Sequence, residues 1–173
     1  MTTKFNLSIV FTCLLVLMSC SSDDDDGAPM EVTPEGTWKL VSLHIETAFD
    51  FNGDGISDTN LYDETPCYDN DFVQLNADGS ARVVTALTDI SPEVTAPDDY
   101  TYVYTCLDGF DVETNWTQND KTISVSYGSF DFVGNIVGNQ LKVKLPDFFE
   151  IEFYNGVEYY TVKEDAHLVY VKE

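Results

Sequence analysis

The chain has 173 residues, with 8 Lys and Arg against 31 Asp and Glu and a formal net charge of −23. That balance excludes nucleic acid as a natural partner, because binding phosphates needs basic patches. It also sets the chain against anionic membrane surfaces and leaves cations as the natural small partners.

In chain order, Lys4 is the only basic residue before an apolar run over 7–18, broken by Ser8 and Thr12. The run is shorter than the roughly 20 residues a bilayer span needs. A charged start, a short apolar centre and small residues after it predict a secretory signal peptide over 1–19. Leu17-Met18-Ser19-Cys20 resembles the lipobox of bacterial lipoproteins, in which the Cys becomes the acylated first residue. The resemblance implies a lipid anchor on Cys20 and no transmembrane helix. Ser21-Ser22-Asp23-Asp24-Asp25-Asp26 follows. Like charges repel, so 20–33 is expected to be a solvated acidic tether. A Cys followed by Ser and a run of Asp also resembles the export signal of surface lipoproteins in one group of Gram-negative bacteria. The implied location is the outer membrane, lipid-anchored and surface-exposed.

Residues 34–173 carry strand signals punctuated by turn dipeptides. Asn155-Gly156 separates FFEIEFY from VEYYTVK, and Asp78-Gly79 separates FVQLN from ARVVTAL. Asn-Gly suits a type I′ hairpin because both residues tolerate positive φ. Asn119-Asp120, Gly138-Asn139 and Glu164-Asp165 are predicted as further tight turns. Ile123, Val125 and Tyr127 share one strand face. Leu141, Val143 and Leu145 share another, with Lys142 and Lys144 opposite. Period two with one wet face is the antiparallel pattern. Consecutive hairpins predict an all-β domain that closes into an up-and-down barrel or folds as a β-sandwich.

Of four cysteines, Cys13 leaves with the signal and Cys20 carries lipid. Cys67 and Cys106 remain, an even pair in an oxidising compartment, and are expected to form a disulfide.

Between the first strand and Cys67 lies FDFNGDGISDTN. Asp50, Asn52, Asp54, Gly55 and Asp58 fit positions 1, 3, 5, 6 and 9 of a calcium loop, and Ile56 would offer its carbonyl at position 7. Ca²⁺ takes six to eight hard oxygens, and Gly permits the sharp curl. Position 12 is Leu61 rather than an acid, leaving Asp63 or Glu64 to substitute. The expected cofactor is therefore Ca²⁺, in a structural role.

Gly36-Thr37-Trp38-Lys39-Leu40 heads the first strand and resembles the lipocalin signature, with Gly36 and Trp38 at its conserved places. His167-Leu168-Val169-Tyr170-Val171-Lys172 looks like the short last strand of lipocalin-like lipoproteins. The resemblance implies a barrel of about eight strands over 34–173, the Trp plugging its closed end and the loop after the first strand hanging over its mouth. Lipocalins stack a late Arg on that Trp. The only Arg here is Arg82, and Lys172 is the sole late substitute. First and last strands pair in a closed barrel, which would bring His44 and His167 near each other. Asn115-Trp116-Thr117 matches the glycosylation acceptor pattern.

Such an interior is filled by side chains or holds one small ligand. Phe130, Phe132, Phe148, Phe149, Phe153, Tyr159, Tyr160 and Tyr170 would line a pocket for an apolar or amphipathic molecule. Tyr100, Tyr102 and Tyr104 alternate on one face and would form a stacking stripe for sugar rings. The sequence carries no nucleophile elbow, phosphate loop or zinc helix. The expectation is a non-enzymatic lipoprotein that binds a small molecule or glycan fragment. The alternative is a filled barrel presenting an acidic surface to another envelope protein.

Overall fold

The computed structural model describes residues 33–128 and 130–173. The signal peptide, Cys20 and nearly all of the tether lie outside the described residues. The strands are β1 (Gly36–Phe49), β2 (Asp58–Asn60), β3 (Phe72–Leu75), β4 (Ser80–Ala96), β5 (Asp99–Asn119), β6 (Thr122–Tyr127), β7 (Phe130–Val137), β8 (Gln140–Tyr154) and β9 (Tyr159–Lys172). One helical turn, α1 (Leu61–Glu64), and a 3-10 turn (Pro66–Tyr68) sit between β2 and β3.

Neighbouring strands pair antiparallel in the order β1-β3-β4-β5-β6-β7-β8-β9, and β9 returns to β1 through pairs such as Trp38↔Lys172 and His44↔His167. The sheet is thus a closed eight-stranded up-and-down barrel with β2 added beside β1, and the sandwich alternative falls away. Alternation fills the interior: Trp38, Leu40, Leu43, Ile123, Val125, Leu141, Val143, Leu145 and Tyr170 are all buried.

The dipeptides Asp78-Gly79 and Gly138-Asn139 fall between consecutive strands as expected, and Asn119-Asp120 spans the end of β5 and the turn into β6. At Asn155-Gly156 the connection is longer than a two-residue hairpin. Asn155 N–H donates to the Glu158 carbonyl, and its side-chain oxygen accepts the N–H groups of Val157 and Glu158. Glu164-Asp165 is not a turn; both residues lie inside β9. Glu164 is buried, and its carboxylate accepts the N–H groups of Glu46 and Thr47, each at 2.9 Å, and the Thr47 hydroxyl. It thereby bridges β9 to β1 beyond their last ladder pair. A charged dipeptide that looks like a turn is here a buried acceptor for backbone donors.

The two ends of the barrel are closed differently. At the base, Trp38 is fully buried, its Nε1 donates to the Pro34 carbonyl at 2.8 Å, and Lys172 Nζ lies 5.8 Å from its ring centroid. Lys172 also donates to the Thr33 carbonyl at 2.6 Å, which fixes where the chain enters. Gly36 has φ of +128°, and a Cβ there would come within 2.9 Å of Lys172 Cε. The signature glycine is therefore required by conformation, and a larger residue would also displace the end of the Lys172 side chain. At the mouth, α1 and the 3-10 turn act as a plug: Leu61 and Tyr68 are buried, and the Thr88 hydroxyl donates to the Tyr68 hydroxyl. The Cys67–Cys106 disulfide, with its Cα atoms 5.4 Å apart, ties that plug to β5.

Candidate functional site

The interior leaves little room. The hollow among Leu43, Tyr68, Phe132, Phe149, Leu168 and Tyr170 has a volume of about 20 Å³, and a second beside Val83, Val125 and Phe132 about 10 Å³. Such volumes suit a single water, whereas small-molecule pockets run to roughly 300 Å³ or more. Phe132, Phe149 and Tyr170 are thus core residues, and Phe132 meets Tyr170 edge-on at 5.8 Å.

Tyr100, Tyr102, Tyr104, Phe153, Tyr159 and Tyr160 gather above the mouth, while Phe148 packs edge-on against Phe149. β4–β5 and β8–β9 are far longer than β6–β7 and extend past the barrel as two arms. Their tips meet: the Tyr154 N–H donates to the Tyr102 hydroxyl at 3.5 Å, and Tyr100 lies edge-on to Tyr154 at 5.5 Å. Between the arms runs one continuous series of ring contacts. Phe51 stacks on Phe49 at 4.8 Å, Phe49 meets Tyr102 at 5.4 Å, and Tyr102 meets Phe153 at 5.5 Å. Phe153 then stacks on Tyr160 at 5.7 Å. Tyr104 joins through Phe51, and Tyr159 through Tyr154. The outer members stay wet, Tyr100 at 39%, Tyr160 at 46% and Tyr159 at 52% exposure. Phe49, Phe51 and Tyr154 were not singled out from sequence. The only signal for them is their aromatic character beside a turn, which says nothing of a partner arm.

The acidic loop leaves β1 at this same end. Its side chains turn onto its own backbone: Asp50 accepts the N–H groups of Gly53 and Gly55, Asn52 that of Asp54, Asp54 that of Ile56, and Asp58 that of Asn60. Leu61, at position 12, points into the core. Glu64 closes the loop instead: it is buried, and one carboxylate oxygen accepts from Phe51 N at 2.7 Å and Asn52 N at 3.2 Å. Among the described residues no ion pair reaches a loop carboxylate. Nor do three or more His, Cys, Asp or Glu side chains converge there as a ready metal cage.

His44 and His167 do face each other across the β1–β9 ladder, and His44 hydrogen-bonds Thr59 at 3.0 Å. Asn115 sits within β5, paired with Ser80 on one side and Ser126 on the other.

Beside the disulfide lies an open groove of about 480 Å³ lined by Asp71, Thr85, Leu107, Asp108 and Asp111 among others. Asp71 is buried and its acidity is weakened, the pKa rising to about 6 because burial penalises the charged form. Its oxygens accept from Thr85 Oγ1 at 2.8 Å and Ala86 N at 3.0 Å, holding β4 where it lies opposite the bulge in β5. Asp111 is taken by Arg82 in a two-point pair, both contacts at 2.9 Å. Two of the groove's three carboxylates, Asp71 and Asp111, are thus engaged in structure. Comparison of the chain with protein-family models, with curated proteins and with solved structures finds no match.

Proposed function

We propose that the protein is a lipid-anchored, surface-displayed binding module without catalytic activity. Its barrel is a filled support, and its aromatic arch recognises a neutral glycan. The observation that carries this reading is the contiguous ring series above a mouth whose described interior hollows hold no more than about 20 Å³. Tyrosine presents a flat apolar face that stacks on the C–H face of a sugar, with a hydroxyl at its rim. Asp98, Asp99, Glu152 and Glu158 flank the arm tips and would accept hydrogen bonds from sugar hydroxyls. The same carboxylates disfavour anionic ligands. Thr33 enters at the Trp38 end, opposite the arch.

Each stacked ring contributes about 0.5–1.5 kcal/mol. Replacing Tyr100 and Tyr160 together by Ala is expected to weaken binding roughly ten- to a hundredfold. The check is an array of neutral oligosaccharides followed by calorimetry on the best binder. A chain that retains no neutral glycan, or a double variant that binds as well as the parent, would sink the reading.

Calcium at the mouth loop completes it. Asp50, Asp54 and Asp58 crowd negative charge beside the neutral Asn52, with no cation in the described ion pairs. Their oxygens, with the Ile56 carbonyl, would hold the ion. At extracellular affinities of about 10⁻⁴–10⁻³ M, ten millimolar Ca²⁺ would stabilise the fold by ~1–3 kcal/mol. Thermal unfolding should shift upward by several degrees between EDTA and Ca²⁺, and the Asp50→Ala/Asp54→Ala variant should lose that shift. Equal midpoints in both buffers would mean the loop is only a chain of backbone-capped turns.

A further inference from the structure

One strand edge is left without the devices that usually blunt edges. β6 pairs with β5 only through 115–119, so over 100–107 β5 has β4 on one side and no strand on the other among the described residues. The ladder shows which backbone groups face outward. Ala86 N–H points away from β5, donating to Asp71. Alternation along β4 then turns Thr88, Ile90 and Pro92 away as well, and Pro92 has no N–H to lose. Their partners are Cys106, Tyr104 and Tyr102. In such non-hydrogen-bonded pairs both residues direct N–H and C=O outward. Cys106, Tyr104 and Tyr102 therefore present unpaired donors and acceptors in a row.

Other extended edges are guarded. β8 carries Pro146, a register shift between Leu145 and Phe149, and Asp147 at φ 50°. The outer edge of β4 carries Pro92. Over 100–107, β5 reads Tyr-Thr-Tyr-Val-Tyr-Thr-Cys-Leu, with no charge, no Gly and no Pro. Val103 and Leu107 are 39% and 45% exposed. Flat, uncharged edges rich in β-formers are templates for strand addition.

We infer that this edge receives an extended segment of another protein as an added strand, with an uncharged centre and basic residues at both ends. The argument for that occupant is charge. Asp98 and Asp99 precede the stretch and Asp108 follows it, and none of the three is in a described ion pair. A second copy would pair about a two-fold axis, in antiparallel sense. That sets Asp98 and Asp99 of one chain beside Asp108 of the other at both ends, between molecules of formal net charge −23 each. The chain's own leading residues are a poor occupant too, since Thr33 is held at the opposite end and the segment before it is acidic. Backbone hydrogen bonds would supply affinity, and alternate side chains packing beside Thr101, Val103 and Thr105 would supply selectivity.

The test uses the full chain in detergent and two synthetic peptides, KKTVTVTVKK and EETVTVTVEE, with amide exchange followed residue by residue by NMR. The lysine-ended peptide is expected to bind, more weakly as salt rises. It should slow exchange at Tyr102, Tyr104 and Cys106 at least tenfold, while Thr101, Val103 and Thr105, already bonded to β4, stay unchanged. Tyr104→Pro, which removes one outward N–H, should lose binding, and Tyr104→Ala should keep it. A lysine-ended peptide N-methylated at its valines should fail on the unaltered chain, so the result does not depend on the Pro variant folding. Three outcomes overturn the proposal: no slowing by either peptide, equal slowing by both, or undiminished binding to a folded Tyr104→Pro chain. Slowing that appears on concentrating the protein alone, with a dimer mass, would assign the edge to a second copy instead. The arch proposal fails or stands separately, on glycan binding by the Tyr100→Ala/Tyr160→Ala variant.

Discussion

Replacing Cys67 and Cys106 together by Ser should lower the unfolding midpoint by about 10–15 °C. The disulfide closes a loop with a sequence separation of 39. Chain entropy assigns that loop roughly 4 kcal/mol, and a domain of this size shifts by about 2–4 °C per kcal/mol. The location decides where the loss is felt. Cys67 belongs to the 3-10 turn that plugs the mouth, and Cys106 lies in the part of β5 paired on one side only. Without the bond, the plug rests on Tyr68 and Leu61, and the β4–β5 arm rests on its hairpin ladder and its ring contacts. The double Ser variant should therefore exchange amides faster over 61–71 and 87–107 than over β6–β7, which the bond does not touch. Calorimetry of the oxidised parent and the variant checks the size, and amide exchange checks the place. A midpoint within a degree or two of the parent would mean that Tyr68 and Leu61 alone hold the plug.

Much of the barrel was legible because its information is local. Ile123 with Val125, and Leu141 with Val143, show period two, and Gly79 and Gly138 stand at positive φ between strands. The closing pair could be anticipated from the ends of the chain, where Trp38 meets Lys172 in register. The arms were not legible. Nothing in residues 80–119 says that β4 and β5 outrun β6 and β7, because arm length is a matter of where neighbours stop. Glu164 misled for a related reason, and Asp71, which no sequence pattern singled out, repeats the case. Both look like solvated acids, and each is buried because backbone donors from a distant strand need an acceptor: Glu46 and Thr47 for the one, Ala86 for the other. The loop was legible in composition but not in detail. Glu64 closes it by accepting the N–H groups of Phe51 and Asn52, from a helical turn that the surrounding pattern did not reveal. The aromatic count pointed to a lined cavity, whereas the rings divide between a close-packed core and an arch outside it.

Trp38→Ala should be the costliest single change in the core, about 3–5 kcal/mol. Trp38 is the largest fully buried side chain and sits where β1 begins, beneath Gly36 and against Lys172. Its loss removes the bulkiest of the fully buried side chains at that end. Three smaller terms share the site and can be separated from it. Trp38→Phe keeps most of the volume but loses the Nε1 bond to Pro34, worth about 1 kcal/mol. Lys172→Met removes the cation from the ring, about 0.5–1 kcal/mol at so exposed a contact, and frees Thr33. Gly36→Ala meets a left-handed backbone and Lys172 Cε at 2.9 Å, so it should cost more than either. The expected order of destabilisation, measured by denaturant unfolding, is Trp38→Ala, then Gly36→Ala, then Trp38→Phe and Lys172→Met together. If Lys172→Met proved as damaging as Trp38→Ala, the base would be held by the cation and its grip on Thr33, and the signature tryptophan would be filling rather than closing the barrel.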